Sequence, residues 1–146
     1  MTSTILVLNG PNLGRLGTRE PEVYGSETLD DIRASLAASV PADVEIDLRQ
    51  SDDEAELIGW IHEAVDRRIP VVLNPAAFTH YSYALRDAAA QLKQASVPLV
   101  EVHLSNPHTR ETFRHTSVIS GVATGVIAGF GSDSYRLAVD WLLRHG

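Results

Sequence analysis

The chain has 146 residues, 44% of them apolar, which fits one domain (1–146) with a sizeable core. A net charge of -7 argues against nucleic acid or an anionic membrane as partner, and no apolar stretch approaches the ~20 residues needed to span a bilayer. With no cysteine, disulfides and thiolate-ligated metals are excluded; the N-terminus has no basic segment leading into a long apolar run, so a soluble, unprocessed, cytoplasmic protein is expected.

Residues 5–8, Ile-Leu-Val-Leu, form a continuous apolar run stopped at Asn9-Gly10-Pro11, which predicts a strand buried on both faces. From Asn9 to Gly25 the chain reads Asn-Gly-Pro-Asn-Leu-Gly-Arg-Leu-Gly-Thr-Arg-Glu-Pro-Glu-Val-Tyr-Gly. That makes roughly twenty residues of loop before the next helical pattern, where compact domains usually use two to six. Glycine and proline at intervals indicate a shaped excursion. Its two arginines and one tyrosine predict a lid that carries a phenol and guanidinium groups over a site.

Thr28 can cap a helix in which Leu29, Ile32, Leu36 and Val40 recur at helical spacing, ended by Pro41. Residues 44–48 alternate Val, Ile and Leu with Glu and Asp, predicting a strand with one wetter face near a sheet edge. Asp52, Asp53 and Glu54 suit the positive end of a helix dipole better than a metal site, since no histidine or further carboxylate accompanies them at a useful spacing. Leu57, Ile58, Ile61, Ala64 and Val65 continue that helix. Residues 70–73 make a third strand stopped at Asn74-Pro75, and a helix is expected over 82–94. A fourth strand covers 98–103. An irregular stretch, 106–120, carries His108, Arg110, Arg114 and His115 with a short helical turn. A fifth strand is read over 122–128, and Ser132 can cap a last helix over 135–144.

Strands alternate with helices throughout, which predicts a three-layer α/β, flavodoxin-like, doubly wound sheet of five parallel strands in the order 2-1-3-4-5. In such sheets ligands sit beyond the carboxyl ends of the strands at the switch point, here between strands one and three. Asn9 and Asn12, Asn74 and His80, and His103 and Ser105 all follow strands on that rim.

Common occupants of the fold fail on their requirements. A receiver module needs carboxylates and a lysine where this chain has Asn9, Asn74 and Gly129, and the glycine spacing matches neither a P-loop nor a dinucleotide fingerprint. His103, His108 and His115 have no standard metal-ligand spacing, and a triad of Ser105, His80 and Asp87 lacks the Gly-x-Ser-x-Gly elbow. The one lysine, Lys93, lies late in a helix at the wrong end for a Schiff base. Acid-base chemistry by His, Tyr, Asn, Ser and Arg remains.

A free phenol titrates near ~10, so Tyr24 as a base near neutrality asks about 4 kcal/mol of its surroundings. A cation about 4 Å away supplies about 1 kcal/mol in water and about 4 kcal/mol at an effective dielectric near 20, so Arg19, with Arg15 second, suffices only if the lid closes. The other reading is a packed tyrosine among surface arginines, and spacing alone does not choose between them. Glu101 and His103, two apart on a strand, face the same side, so the carboxylate can orient and charge the imidazole; alone they fit a structural ion pair equally well.

The stretch from Asn9 to Gly25, with Asn74-Pro-Ala-Ala-Phe-Thr-His80, Glu101-Val-His-Leu-Ser-Asn106 and Phe113-Arg-His115, closely resembles type II 3-dehydroquinate dehydratase over nearly the whole chain and in the same order. The resemblance implies a shikimate-pathway lyase that removes water from 3-dehydroquinate to give 3-dehydroshikimate, without metal, cofactor or lysine adduct. It implies anti elimination through an enolate. Tyr24 is then the tyrosinate base helped by Arg19, Asn12 helps hold a water on the enolate oxygen, and His103, oriented by Glu101, is the acid. Asn74, the Leu104 backbone and Ser105 would bind the substrate carboxylate, and His80 and Arg114 the ring hydroxyls. Asp87 would reach a neighbouring subunit's site in a dodecamer of trimers. Ala76 stands where the family often has glycine and Phe78 where it often has tyrosine. A non-catalytic small-molecule binding module on the same fold is the rival reading, and it predicts binding without turnover.

Overall fold

The computed structural model describes residues 3–145. Five parallel strands, β1 (Ser3–Asn9), β2 (Val44–Gln50), β3 (Val71–Asn74), β4 (Leu99–His103) and β5 (Gly125–Ala128), pair in the order β2-β1-β3-β4-β5, the predicted flavodoxin-like arrangement. Alternate residues of β1 serve opposite layers. Leu6 and Leu8, with Val71, Leu73 and Leu99, pack under α3 (Glu54–Arg67) and α4 (Tyr83–Gln94). Ile5 and Val7, with Val72, Val100 and Val102, pack under α2 (Leu29–Ser39) and α5 (Asp133–His145). This double burial is why the central strands read as unbroken apolar runs. β2, at the edge, keeps its polar alternation, and its Arg49 bridges Asp47 and Glu63.

Helix starts follow the sequence closely. Thr28 and Asp31 form a capping box, Asp53 caps α3 through the Ala55 N–H, and Ser82 caps α4 through the Leu85 N–H. Several boundaries shift by one to three residues from expectation, among them those of β5 and α5. β5 begins at Gly125 instead of residue 122, because Val122 closes a 3-10 turn and buries its side chain against the α3/α4 layer. Thr124 still pairs with Leu99 through its N–H and hydroxyl, and the ladder starts one residue later at Val100↔Gly125. α5 begins at Asp133, and the Ser132 hydroxyl donates to Glu27 Oε1 at 2.6 Å, tying the end of the lid to the start of that helix. Among the described residues no helix is long and apolar enough to cross a membrane.

Candidate active site

The site forms where β1 and β3 part. A Cβ on Gly10 would lie 2.5 Å from the Pro75 carbonyl oxygen, so only glycine lets the two strand exits run against each other. The Gly10 N–H closes the contact by donating to Asn74 O at 2.8 Å. Beyond it the lid divides into a root and a tip. Leu13 and Leu16 are buried in the α2/α5 layer and anchor the root. The tip is a single helical turn, α1 (Pro21–Tyr24), started by proline and ended by Gly25 in the left-handed region at φ +84°.

α1 holds Tyr24 within reach of two cations. The Arg19 guanidinium carbon lies 4.6 Å from the ring centroid and that of Arg110 5.1 Å, both over the ring. Arg110 also donates to Ser105 Oγ at 3.2 Å. The sequence reading placed Arg110 in the irregular 106–120 stretch without a site role. Its position depends on the 3-10 turns at Pro107–Thr109 and Thr112–His115, which bring it back over a residue 86 positions earlier.

On β4, Glu101 is fully buried and His103 Nε2 lies 2.5 Å from its Oε2. A carboxylate accepts, so Nε2 carries the hydrogen. Three hydroxyls complete the cage: Thr79 at 2.5 Å, Ser120 at 2.6 Å and Ser117 at 3.0 Å. Burial alone would raise the Glu101 pKa, but the hydrogen bond and charge of His103, with the Ser120 and Thr79 hydroxyls, hold it below the ordinary carboxylate range. Glu101 is therefore an ionised anchor behind the cleft, and His103 is the member of the pair that reaches the opening.

That opening, a cavity of about 170 Å³, is lined by Tyr24, Arg19 and Asn12 from the lid side and by His103 at the end of β4 with Leu104 and Ser105 just beyond it. Asn74, His80 and Arg114 line it as well, together with Arg110. Asn74 has both ends of its amide engaged, Nδ2 to the Tyr135 hydroxyl at 2.9 Å and Oδ1 from the Ala76 N–H at 3.1 Å. Ala76 sits in the left-handed region at φ +51°, where glycine is the relaxed choice. His80 Nδ1 donates to Thr116 O at 2.8 Å, which leaves Nε2 as an acceptor. Partial burial, and then the charges of His103 and Arg114, lower the His80 pKa and keep the ring neutral. Arg114 is fixed by Glu111 at 2.9 Å.

Asp87 lies outside this cleft on the exposed face of α4, paired with Arg86 at 2.9 Å. Lys93 is exposed in the last turn of α4. Among the described residues no three His, Cys, Asp or Glu side chains are disposed to hold a metal ion.

The family model for Dehydroquinase class II matches residues 3–143. The sequence is 62% identical over 139 residues to the 3-dehydroquinate dehydratase of Kineococcus radiotolerans, covering 94% of this chain and 93% of that protein. It is 55% identical over 141 residues to 3-dehydroquinate dehydratase 2 of Pseudomonas aeruginosa, covering 96% and 93%. In three dimensions it resembles the type II dehydroquinase of Propionibacterium acnes, with a TM-score of 0.93 at 51% identity over 99% of this chain and 98% of the other.

Proposed function

The chain belongs to the class II dehydroquinase family, and on that premise we propose that it is a hydro-lyase that dehydrates 3-dehydroquinate to 3-dehydroshikimate by anti elimination through an enolate. Tyr24, as the phenolate, takes the proton alpha to the ketone, and the C–H electron pair moves into the enolate. The enolate re-forms the carbonyl and expels the hydroxyl on the opposite side of the ring. That hydroxyl takes a proton from His103 and leaves as water. Asn12 holds a water against the enolate oxygen. Asn74, the Leu104 backbone and Ser105 take the substrate carboxylate, His80 Nε2 accepts from one ring hydroxyl, and Arg114 meets another.

One observation carries the reading: a single cavity is lined both by a tyrosine under two guanidiniums and by a histidine backed by a buried, ionised carboxylate. The reaction needs a base and an acid of that kind in one cleft. Arg19 and Arg110 lie against the Tyr24 ring, and Glu101 accepts from His103 Nε2, so each member of the pair has a positioning partner. Each acts without a metal, a cofactor or a lysine adduct.

The same reading places the protein in the cytoplasm as a dodecamer of trimers, with Asp87 entering a neighbouring subunit's site. Tyr81 and Tyr83, 58% and 70% exposed, support a subunit contact there, since Tyr83 and Asp87 stand one helical turn apart on α4.

Purified protein given 3-dehydroquinate, with no added metal, is expected to raise ultraviolet absorbance as the conjugated enone forms. Folded protein that gives no rise refutes the assignment. Tyr24→Phe should abolish turnover while substrate-analogue binding persists, and borohydride added with substrate should leave activity intact.

A further inference from the structure

The task assigned to Asn12 requires its side chain to stay in the cleft, yet Asn12 is exposed at the lid root with its backbone left-handed at φ +69°. Asparagine tolerates that region better than most residues, but a left-handed residue persists only where its surroundings over-determine it. Here the hold comes from the end of β2. Asp52 Oδ1 accepts the Asn12 N–H at 2.8 Å across 40 residues of sequence, and it accepts Gln50 Nε2 at 3.1 Å. Gln50 Nε2 also donates to Gly10 O at 3.2 Å. Its side chain lies so close beneath the lid that a Cβ on Gly14 would sit 2.9 Å from Gln50 Oε1.

Gln50 is the last residue of β2 and pairs with Asn9, so the clamp is rooted in the sheet on both sides. Asp52 is not the cap of α3, because Asp53 fills that place through the Ala55 N–H at 2.9 Å. Its carboxylate serves the lid.

We propose that Asp52, braced by Gln50, is a positioning residue for the dehydration: it fixes the Asn12 peptide so that the side chain faces the developing enolate. The catalytic consequence rests on the dehydratase reading above, whereas the clamp itself rests on the contacts alone. Both donors converge on one oxygen of Asp52, so an amide oxygen at that position preserves the arrangement and a methyl group abolishes it.

The test compares Asp52→Ala and Asp52→Asn with the wild type in steady-state kinetics, thermal melts and tryptic cleavage after Arg15 in the absence of substrate. Asp52→Ala is expected to lose roughly ten-fold in kcat with KM within about two-fold, because a group that serves the transition state is displaced while ground-state contacts persist. It should also be cut faster after Arg15, as the lid root opens. Asp52→Asn should restore most of kcat and the wild-type cleavage rate, and Gln50→Ala should give a smaller loss of the same kind. Wild-type kcat and cleavage in Asp52→Ala overturn the proposal, as does an equal loss in Asp52→Asn or a kcat loss that merely follows a lowered melting temperature. Wild-type protein that does not turn over 3-dehydroquinate refutes the function instead, and the cleavage contrast still decides the clamp.

Discussion

Replacing Tyr135 by phenylalanine should cost the fold about 3 kcal/mol although only one oxygen is lost. Tyr135 is fully buried on α5; its hydroxyl accepts from Asn74 Nδ2 at 2.9 Å and donates to Asn9 Oδ1 at 2.6 Å. Burial pushes its pKa far above the ordinary phenol range, so it serves as a neutral link between α5 and the two strands that frame the cleft. Asn9 and Asn74 are 0% and 2% exposed, so water does not take the place of the missing hydroxyl. Tyr135→Phe strands one buried acceptor and leaves one buried donor short of a partner, at about 1–3 kcal/mol for each group. In a domain of this size, about 3 kcal/mol corresponds to roughly 10 °C in Tm. The Asn74 amide also loses the contact that orients it, so KM should rise more than kcat falls. Urea unfolding at fixed protein concentration, with an unchanged m-value, measures the loss directly. A change below about 0.5 kcal/mol, with KM unaltered, would falsify the claim that this hydroxyl sets the asparagines.

Gly10→Ala should destabilise by about 2 kcal/mol or more and depress turnover, because the new methyl meets the Pro75 carbonyl and neither backbone yields cheaply; a wild-type urea midpoint would contradict the close approach. Ala76→Gly should raise stability by about 1 kcal/mol by relaxing the left-handed residue beside Asn74, and a lowered midpoint would show that the methyl's packing outweighs the strain. Acid should weaken the fold in two windows. The folded-state pKa of His80 lies below the unfolded value near ~6.5, so its contribution is full above that pH and is lost as pH falls towards the folded value. The Glu101 contribution is present above the unfolded carboxyl value near ~4.3 and is lost at lower pH. His80→Asn should flatten the upper window alone, and an identical slope in the variant between pH 7.5 and 5 would remove His80 as its source.

Much of the fold was legible because the periods of burial are short. Residues 5–8 and 71–73 are buried on both faces, so apolar continuity alone marks them, and Thr28, Asp53 and Ser82 mark helix starts chemically. Glu101 and His103 were legible as a pair because two residues on a strand share a face. The fifth strand was over-extended because Val122 is apolar for the sake of the α3/α4 layer and not of the sheet. Arg110 and Asp52 were not legible as parts of the site. Their contacts with Tyr24 and Asn12 depend on loop turns and on the register Asn9↔Gln50, and no periodicity in the sequence reports either.

The two cations over Tyr24 come from different segments, Arg19 from the lid and Arg110 from the loop after β4. A guanidinium on the lid alone would keep its place against the Tyr24 ring wherever the tip stood. Arg110, anchored to Ser105 at 3.2 Å, meets the ring from the scaffold side, so the lid carries one cation and is met by the other. A cation over an aromatic face is worth about 0.5–1 kcal/mol at an exposed site and about 2 kcal/mol or more when desolvated, so enclosing substrate would strengthen both contacts. Leu13 and Leu16 are buried and fix the root, whereas no residue of α1 is buried. Under the proposed mechanism the loop joins Asn12, held at a packed root, to Tyr24 on a tip whose seat depends on Arg19 and Arg110, and its length follows from that span.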